Sequence, residues 1–149
     1  MMRHLTELDD LTSRIIRCAI EVHRVLGPGL LESVYRECLI AELNANGVAI
    51  ACDRKVPIIY KGLKIHTALE VDLMIEGQVI VELKAVESLH PVHEAQLITY
   101  LKLTGCPAGL LMNFNEVLLK KGIRRLDRPD LFYERLRQKW HDNSGDEKG

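Results

Sequence analysis

Glu82 and Lys84 stand inside the run Gln78-Val79-Ile80-Val81-Glu82-Leu83-Lys84-Ala85-Val86, whose other residues after Gln78 are those a buried strand carries. A charge held in an apolar strand is costly unless it is paired or bound to a metal, so such residues mark a site. Asp72 interrupts a similar run, Leu69-Glu70-Val71-Asp72-Leu73-Met74-Ile75. Two acids and a lysine meeting on one sheet face can hold a hard divalent cation and position a water beside a phosphodiester.

Whether they meet depends on register. Side chains alternate along a strand, so Glu82 and Lys84 share a face, as do Glu70 and Asp72. A two-residue turn at Glu76-Gly77 sets position 72 against 81, with the acids on opposite faces. A three-residue loop, Glu76-Gly77-Gln78, sets 72 against 82 and 70 against 84, and is the expected arrangement. Carboxylates about 5 Å apart repel by about 3 kcal/mol at an effective dielectric of roughly 20, so a cation belongs between them. Mg²⁺ or Mn²⁺ suits carboxylate and carbonyl oxygens. Lys84 can then orient or deprotonate the water, or stabilise charge developing on phosphorus. The competing arrangement is a cross-strand salt bridge from Lys84 to Glu70, with Asp72 and Glu82 at the wet rim. It accounts for Lys84 but leaves the facing acids uncompensated.

The elements that must position these groups follow from apolar periodicity. Asp9 or Asp10 can cap a helix to about Leu26, with a charged stripe of Arg14, Arg17, Glu21 and Arg24. Gly27-Pro28-Gly29 breaks it, and a second helix runs from about Leu31 to Asn46, stopped by Gly47. Three strands follow, Val48 to Tyr60 with an interruption near Cys52-Asp53, Leu63 to Ile75, and Val79 to Val86, as an antiparallel meander. Pro91 opens a third helix to about Thr104, and Ala108 to Phe114 returns as a parallel strand through a right-handed crossover. A ribbon around Val117 to Leu126, a short helix near Leu131 to Trp140 and a disordered tail from Asp142 to Gly149 complete the expectation. The order is α-α-β-β-β-α-β, an α/β fold with one mixed sheet. A single domain spans residues 1–127, and residues 128–149 form a partly disordered extension.

A chain of 149 residues is long enough for a core without staples. Its four cysteines lack C-x-x-C spacing and suit a reduced, cytoplasmic setting, and no apolar run reaches membrane-span length. Net charge of −1 announces no nucleic-acid partner globally, so any such contact rests on local basic surface. Candidate phosphate contacts are Arg14, Arg17, Arg24, Arg36, Lys120, Lys121, Arg124 and Arg125.

On the second helix, Glu32 lines up with Leu39 and Leu43 at the inward edge of the apolar face. A first-turn acid also stabilises the helix dipole, and spacing alone leaves both roles open. His23 falls in the apolar arc of the first helix and reads first as a satisfied core histidine, with a metal or substrate contact as the alternative. Gln96 and Tyr100 are spaced i, i+4 on the third helix, with His93 a turn earlier.

The segment Gly29-Leu30-Leu31-Glu32-Ser33-Val34-Tyr35 has a G-x-x-E-x-x-Y pattern. With Glu21-Val22-His23-Arg24 before it and Val81-Glu82-Leu83-Lys84-Ala85-Val86 after it, the chain resembles the GxxExxY proteins of the PD-(D/E)XK nuclease-like superfamily from about Leu11 to Phe114. The resemblance implies a restriction-endonuclease-like α-β-β-β-α-β core with a central mixed four-stranded sheet flanked by helices. It makes Asp72 the first acid of the motif, Glu82 and Lys84 its E-x-K, and Glu32 the acid of the first core helix. The Leu83 backbone carbonyl joins the metal shell by the same likeness, and Gln96 and Tyr100 resemble the Q-x-x-x-Y element of RecB-like nucleases. Val71 stands where the motif has proline. The expected function is Mg²⁺- or Mn²⁺-dependent hydrolysis of nucleic acid, DNA ahead of RNA. The alternative is an inactive nuclease-fold module that binds nucleic acid or a protein.

Overall fold

The computed structural model describes residues 2–52 and 55–146. Helices α1 (Met2–Leu26) and α2 (Glu32–Ala45) precede strands β1 (Ile50–Cys52), β2 (Lys55–Tyr60), β3 (Leu63–Glu70), β4 (Leu73–Ile75) and β5 (Val79–Lys84). Helix α3 (Pro91–Thr104), strand β6 (Ala108–Asn113), a 3-10 turn (Leu119–Gly122), strand β7 (Ile123–Asp127) and helix α4 (Pro129–Asp146) follow.

The main sheet has five strands in the order β1-β4-β5-β6-β7, and β2 and β3 form a separate two-stranded ribbon. The expected meander is therefore present as β1-β4-β5, but each of its first two strands is divided between sheet and ribbon. The chain leaves the sheet after β1 and returns through Val71 and Asp72, where the strand conformation is broken. Strand β6 lies parallel to β5 beyond the α3 crossover. Strand β7, antiparallel to β6, makes five strands of the expected four.

Two cores flank the sheet. Leu73, Val79, Val81, Leu83, Leu110 and Met112 face α1 and α2, where they meet Ile15, Val22, Leu39 and Leu43. Met74, Ile80 and Leu111 face α3 through Leu97 and Leu101. Close approach of α3 depends on Gly109, because a Cβ there would lie 2.9 Å from the Leu97 side chain.

Both chain ends depart from the sequence-based expectation. Helix α1 begins at Met2, not at a cap on Asp9 or Asp10, because Leu5 and Leu8 extend its buried stripe. The Asp9 carboxylate instead pairs with Arg125 and Arg135, each at 2.7 Å. At the other end, α4 continues through Asp146 where a disordered tail was expected from Asp142. Asp53 and residues 147–149 lie outside the described residues. No described helix is long and apolar enough to cross a membrane.

Candidate metal and phosphodiester site

The turn between β4 and β5 sets the site. Ile75 pairs with Val79, Met74 with Ile80 and Leu73 with Val81, leaving the three-residue loop Glu76-Gly77-Gln78. Glu76 and Gly77 both take positive φ, 51° and 66°, and the Gln78 N–H donates to the Ile75 carbonyl at 2.9 Å. Continuing this register sets Asp72 against Glu82 on the α3 face of the sheet, the side of Met74 and Ile80.

The Asp72 N–H donates to Glu82 Oε1 at 3.2 Å, and the Leu83 N–H donates to Asp72 Oδ2 at 2.9 Å. Within a strand, the N–H and C=O of one residue point to the same side. The Leu83 carbonyl therefore faces the gap left where β4 starts only at Leu73. Glu82 is 7% exposed, and its carboxyl is pushed up to about 8, by burial first and then by the negative charge of Asp72. Lys84 opposes that shift; its carbonyl accepts the Phe114 N–H at 2.8 Å, while its ammonium has no hydrogen bond or ion pair with another described residue.

The expected facing of position 70 and position 84 does not occur. Because the chain leaves the sheet at Val71–Asp72, Glu70 ends the ribbon and pairs with Lys55, their charges 4.0 Å apart and exposed. The salt bridge from Lys84 to Glu70 is thereby excluded.

Glu32 occupies the first turn of α2 after Leu31, which makes no side-chain cap. Its carboxyl is pushed up by partial desolvation and by Asp72, with Lys84 opposing, so it shares the electrostatic field of the sheet acids. It is nonetheless solvent-exposed, and no three His, Cys, Asp or Glu side chains among the described residues form a ready-made metal cluster.

The segment before Glu32 is held by Tyr35. Its hydroxyl donates to the Gly27 carbonyl at 2.6 Å and accepts from the Leu30 N–H at 3.1 Å, while its ring stacks on Phe114 at 4.6 Å. Tyr100 is half-buried, and its hydroxyl is pushed up by burial, then by Glu82 and Asp72. Gln96 is exposed, and its side chain makes no hydrogen bond with another described residue. His93 accepts the His90 N–H at Nδ1 in a reciprocal helix cap, and burial followed by Lys84 pushes its pKa down.

His23 is a core histidine on the opposite side of the sheet. It is buried, its Nε2 lies 2.7 Å from the Glu116 carbonyl, and its ring sits 6.1 Å from Phe114. Arg36 donates from Nε to the Asp72 carbonyl at 3.2 Å, tying α2 to the residue that opens β4. Arg125 contacts Thr12, Asp9 and Asp127 and belongs to an internal ion-pair cluster. Arg14 donates to the Asn46 carbonyl, Arg24 pairs with Glu21, and Arg124 lies 3.8 Å from Glu94. Arg17, Lys120 and Lys121 are exposed.

Asn113, which the sequence reading passed over, is fully buried at the end of β6 opposite Lys84. Its side chain accepts the N–H groups of Val86 and Asn115 and donates to the Val86 carbonyl, clamping the chain as it leaves β5. The signal was present: one polar residue in the apolar run Ala108 to Phe114.

Two facing acids at the end of a mixed α/β sheet, with a lysine two residues beyond Glu82 on the same face, define a nuclease-like class. Residues 9–126 match the family model of the PD-(D/E)XK nuclease superfamily, and the chain belongs to that superfamily. Neither the curated proteins nor the solved structures returned a match.

Proposed function

We propose that the chain is a Mg²⁺- or Mn²⁺-dependent phosphodiesterase acting on nucleic acid, DNA in preference to RNA, and that it falls in the GxxExxY group. The observation that carries this reading is the apposition of Asp72 and Glu82 on one face beside Lys84, whose ammonium has no partner among the described residues. Glu82 and Asp72 each commit an oxygen to a backbone N–H, and the remaining carboxylate oxygens together with the Leu83 carbonyl are a hard-ligand set. That set fits Mg²⁺, which keeps several of its own waters and needs few protein ligands. A bound ion would supply Lewis acidity to the phosphate and acidity to a water.

The chain's own residues have separable tasks. Asp72 and Glu82 hold the ion, Lys84 orients the attacking water or draws its proton, and Glu32 holds outer waters or a second ion. Tyr100 and Gln96 support the acids from α3, while Arg36 and Asn113 fix the two strand ends. Arg14, Arg17, Arg24, Lys120, Lys121 and Arg124 remain as surface phosphate contacts.

The test compares wild type with Glu82→Gln on DNA and RNA in Mg²⁺, Mn²⁺ or EDTA. Metal-dependent cleavage abolished by the substitution supports the reading, and cleavage that survives it unchanged removes the site. Absence of cleavage on every substrate favours the inactive binding module.

A further inference from the structure

The chain between β1 and Asp72 carries an acid-free basic stretch, as does Val117 to Leu126. From Lys55 through Leu69 there is no aspartate or glutamate, while Lys55, Lys61, Lys64 and His66 all fall there, in a chain of net charge −1. Ribbon register pairs Ile58 with Ile65, Ile59 with Lys64 and Tyr60 with Leu63, with an irregularity beyond Pro57. Alternation then places Lys55, Ile59, Lys64 and His66 on one face, with Glu70 beside Lys55 at the base, and Ile58, Tyr60, Leu63 and Ile65 on the other. Lys55, Lys64, Ile65, His66 and Ala68 line one hollow of the ribbon.

The tip is a tight turn in which Lys61 and Gly62 both have positive φ, 48° and 80°, the combination that matches strand twist in a two-residue hairpin. The Lys61 ammonium lies 5.4 Å from the Tyr60 ring centre. All four basic residues are exposed. The ribbon is anchored at its base, where Val56 packs on the α3 core, and it runs through Val71 directly into Asp72.

We propose that the β2–β3 ribbon is an arm for double-stranded DNA, its lysines on backbone phosphates and its base delivering a strand to Asp72 and Glu82. This rests on the phosphodiesterase reading of that site. Strands of this length reach about 20 Å, and the major groove of B-form DNA, about 12 Å wide, admits a two-stranded ribbon. A-form RNA presents a major groove too narrow for it. Single strands are gripped through stacked aromatic rings, and the ribbon offers one, Tyr60.

The test is binding, not cleavage. The full chain in EDTA is titrated by fluorescence anisotropy with labelled duplex DNA, single-stranded DNA and duplex RNA over a range of salt concentrations. For the combined Lys55→Gln, Lys61→Gln and Lys64→Gln variant, the slope of log affinity against log salt on duplex DNA falls by about 2 to 3 units. Affinity at low salt falls about ten-fold or more. The proposal is overturned if slope and affinity are unchanged, or if wild type binds single strands or duplex RNA as tightly as duplex DNA. It is equally overturned if Tyr60→Ser with Leu63→Ser abolishes a self-association seen by light scattering while the lysine variant binds DNA normally, which assigns the ribbon to a second copy. Metal-dependent cleavage lost in Glu82→Gln, with the lysine variant binding like wild type, sinks the arm and leaves the site. Lysine-dependent duplex binding without cleavage does the reverse.

Discussion

Asp72 and Glu82 are laced together at the point where β4 begins: the Asp72 N–H reaches the Glu82 carboxylate at 3.2 Å, and the Asp72 carboxylate accepts the N–H of the residue after Glu82 at 2.9 Å. The lacing holds the two acids side by side. Burial and mutual repulsion then push the Glu82 carboxyl to about 8, well above its ordinary value of 4.5.

A pH dependence of stability follows from that shift. Between about pH 5 and 8 the folded, metal-free chain holds a proton on Glu82 that the unfolded chain has released, so stability falls as pH rises through this window. The decline is on the order of a few kcal/mol. Urea unfolding in EDTA is expected to show it for wild type and to lose most of it in Glu82→Gln. Adding Mn²⁺ at pH 8 is expected to restore stability to wild type alone, because an ion bound only by the folded state adds to its stability.

Lys84 separates binding from chemistry. Lys84→Met is expected to lower the cleavage rate by about 10² to 10⁴. Removing a positive charge beside the acids does not weaken cation binding, so Mn²⁺ affinity is expected to hold or rise. Single-turnover kinetics with a parallel Mn²⁺ titration reads both quantities.

Asn113 clamps the exit of β5 through three hydrogen bonds to the backbone of Val86 and Asn115. Asn113→Ala leaves part-buried backbone groups of Val86 and Asn115 without these partners and is expected to destabilise the fold by about 1 to 3 kcal/mol. Chemical denaturation gives the stability. A cleavage rate lowered with little change in Mn²⁺ affinity identifies the loss as one of Lys84 position.

Tyr35 acts at the other approach. Tyr35→Phe keeps the stack on Phe114 but removes the hydroxyl that bonds Gly27 and Leu30, at an expected loss of about 1 to 2 kcal/mol. Thermal unfolding measures it.

The legible parts of this fold were those that local pattern dictates. Pro91 and Gly105 bound α3 as expected, and the loop Glu76-Gly77-Gln78 sets the register that turns Asp72 toward Glu82. The interruption near Cys52 was legible, but the division at Val71–Asp72 and the departure of β2 and β3 from the sheet were hidden, because these strands alternate and contain β-formers whether they extend the sheet or leave it. Partnership was hidden for the same reason: Glu70 reads equally well opposite Lys84 or Lys55, and only tertiary structure selects Lys55. Arg125 looked like a surface cation; its partner Asp127 is two residues along β7, and its partner Asp9 lies on α1, a pairing that only tertiary packing reveals.

The most direct measurement is Mn²⁺ binding by electron paramagnetic resonance to wild type, Asp72→Asn and Glu82→Gln at pH 8 without substrate. If the two acids share a cation, wild type binds Mn²⁺ and each single substitution weakens binding by at least about ten-fold, roughly 1.4 kcal/mol. Unchanged affinity in either variant, with the fold intact, contradicts a shared ion between Asp72 and Glu82.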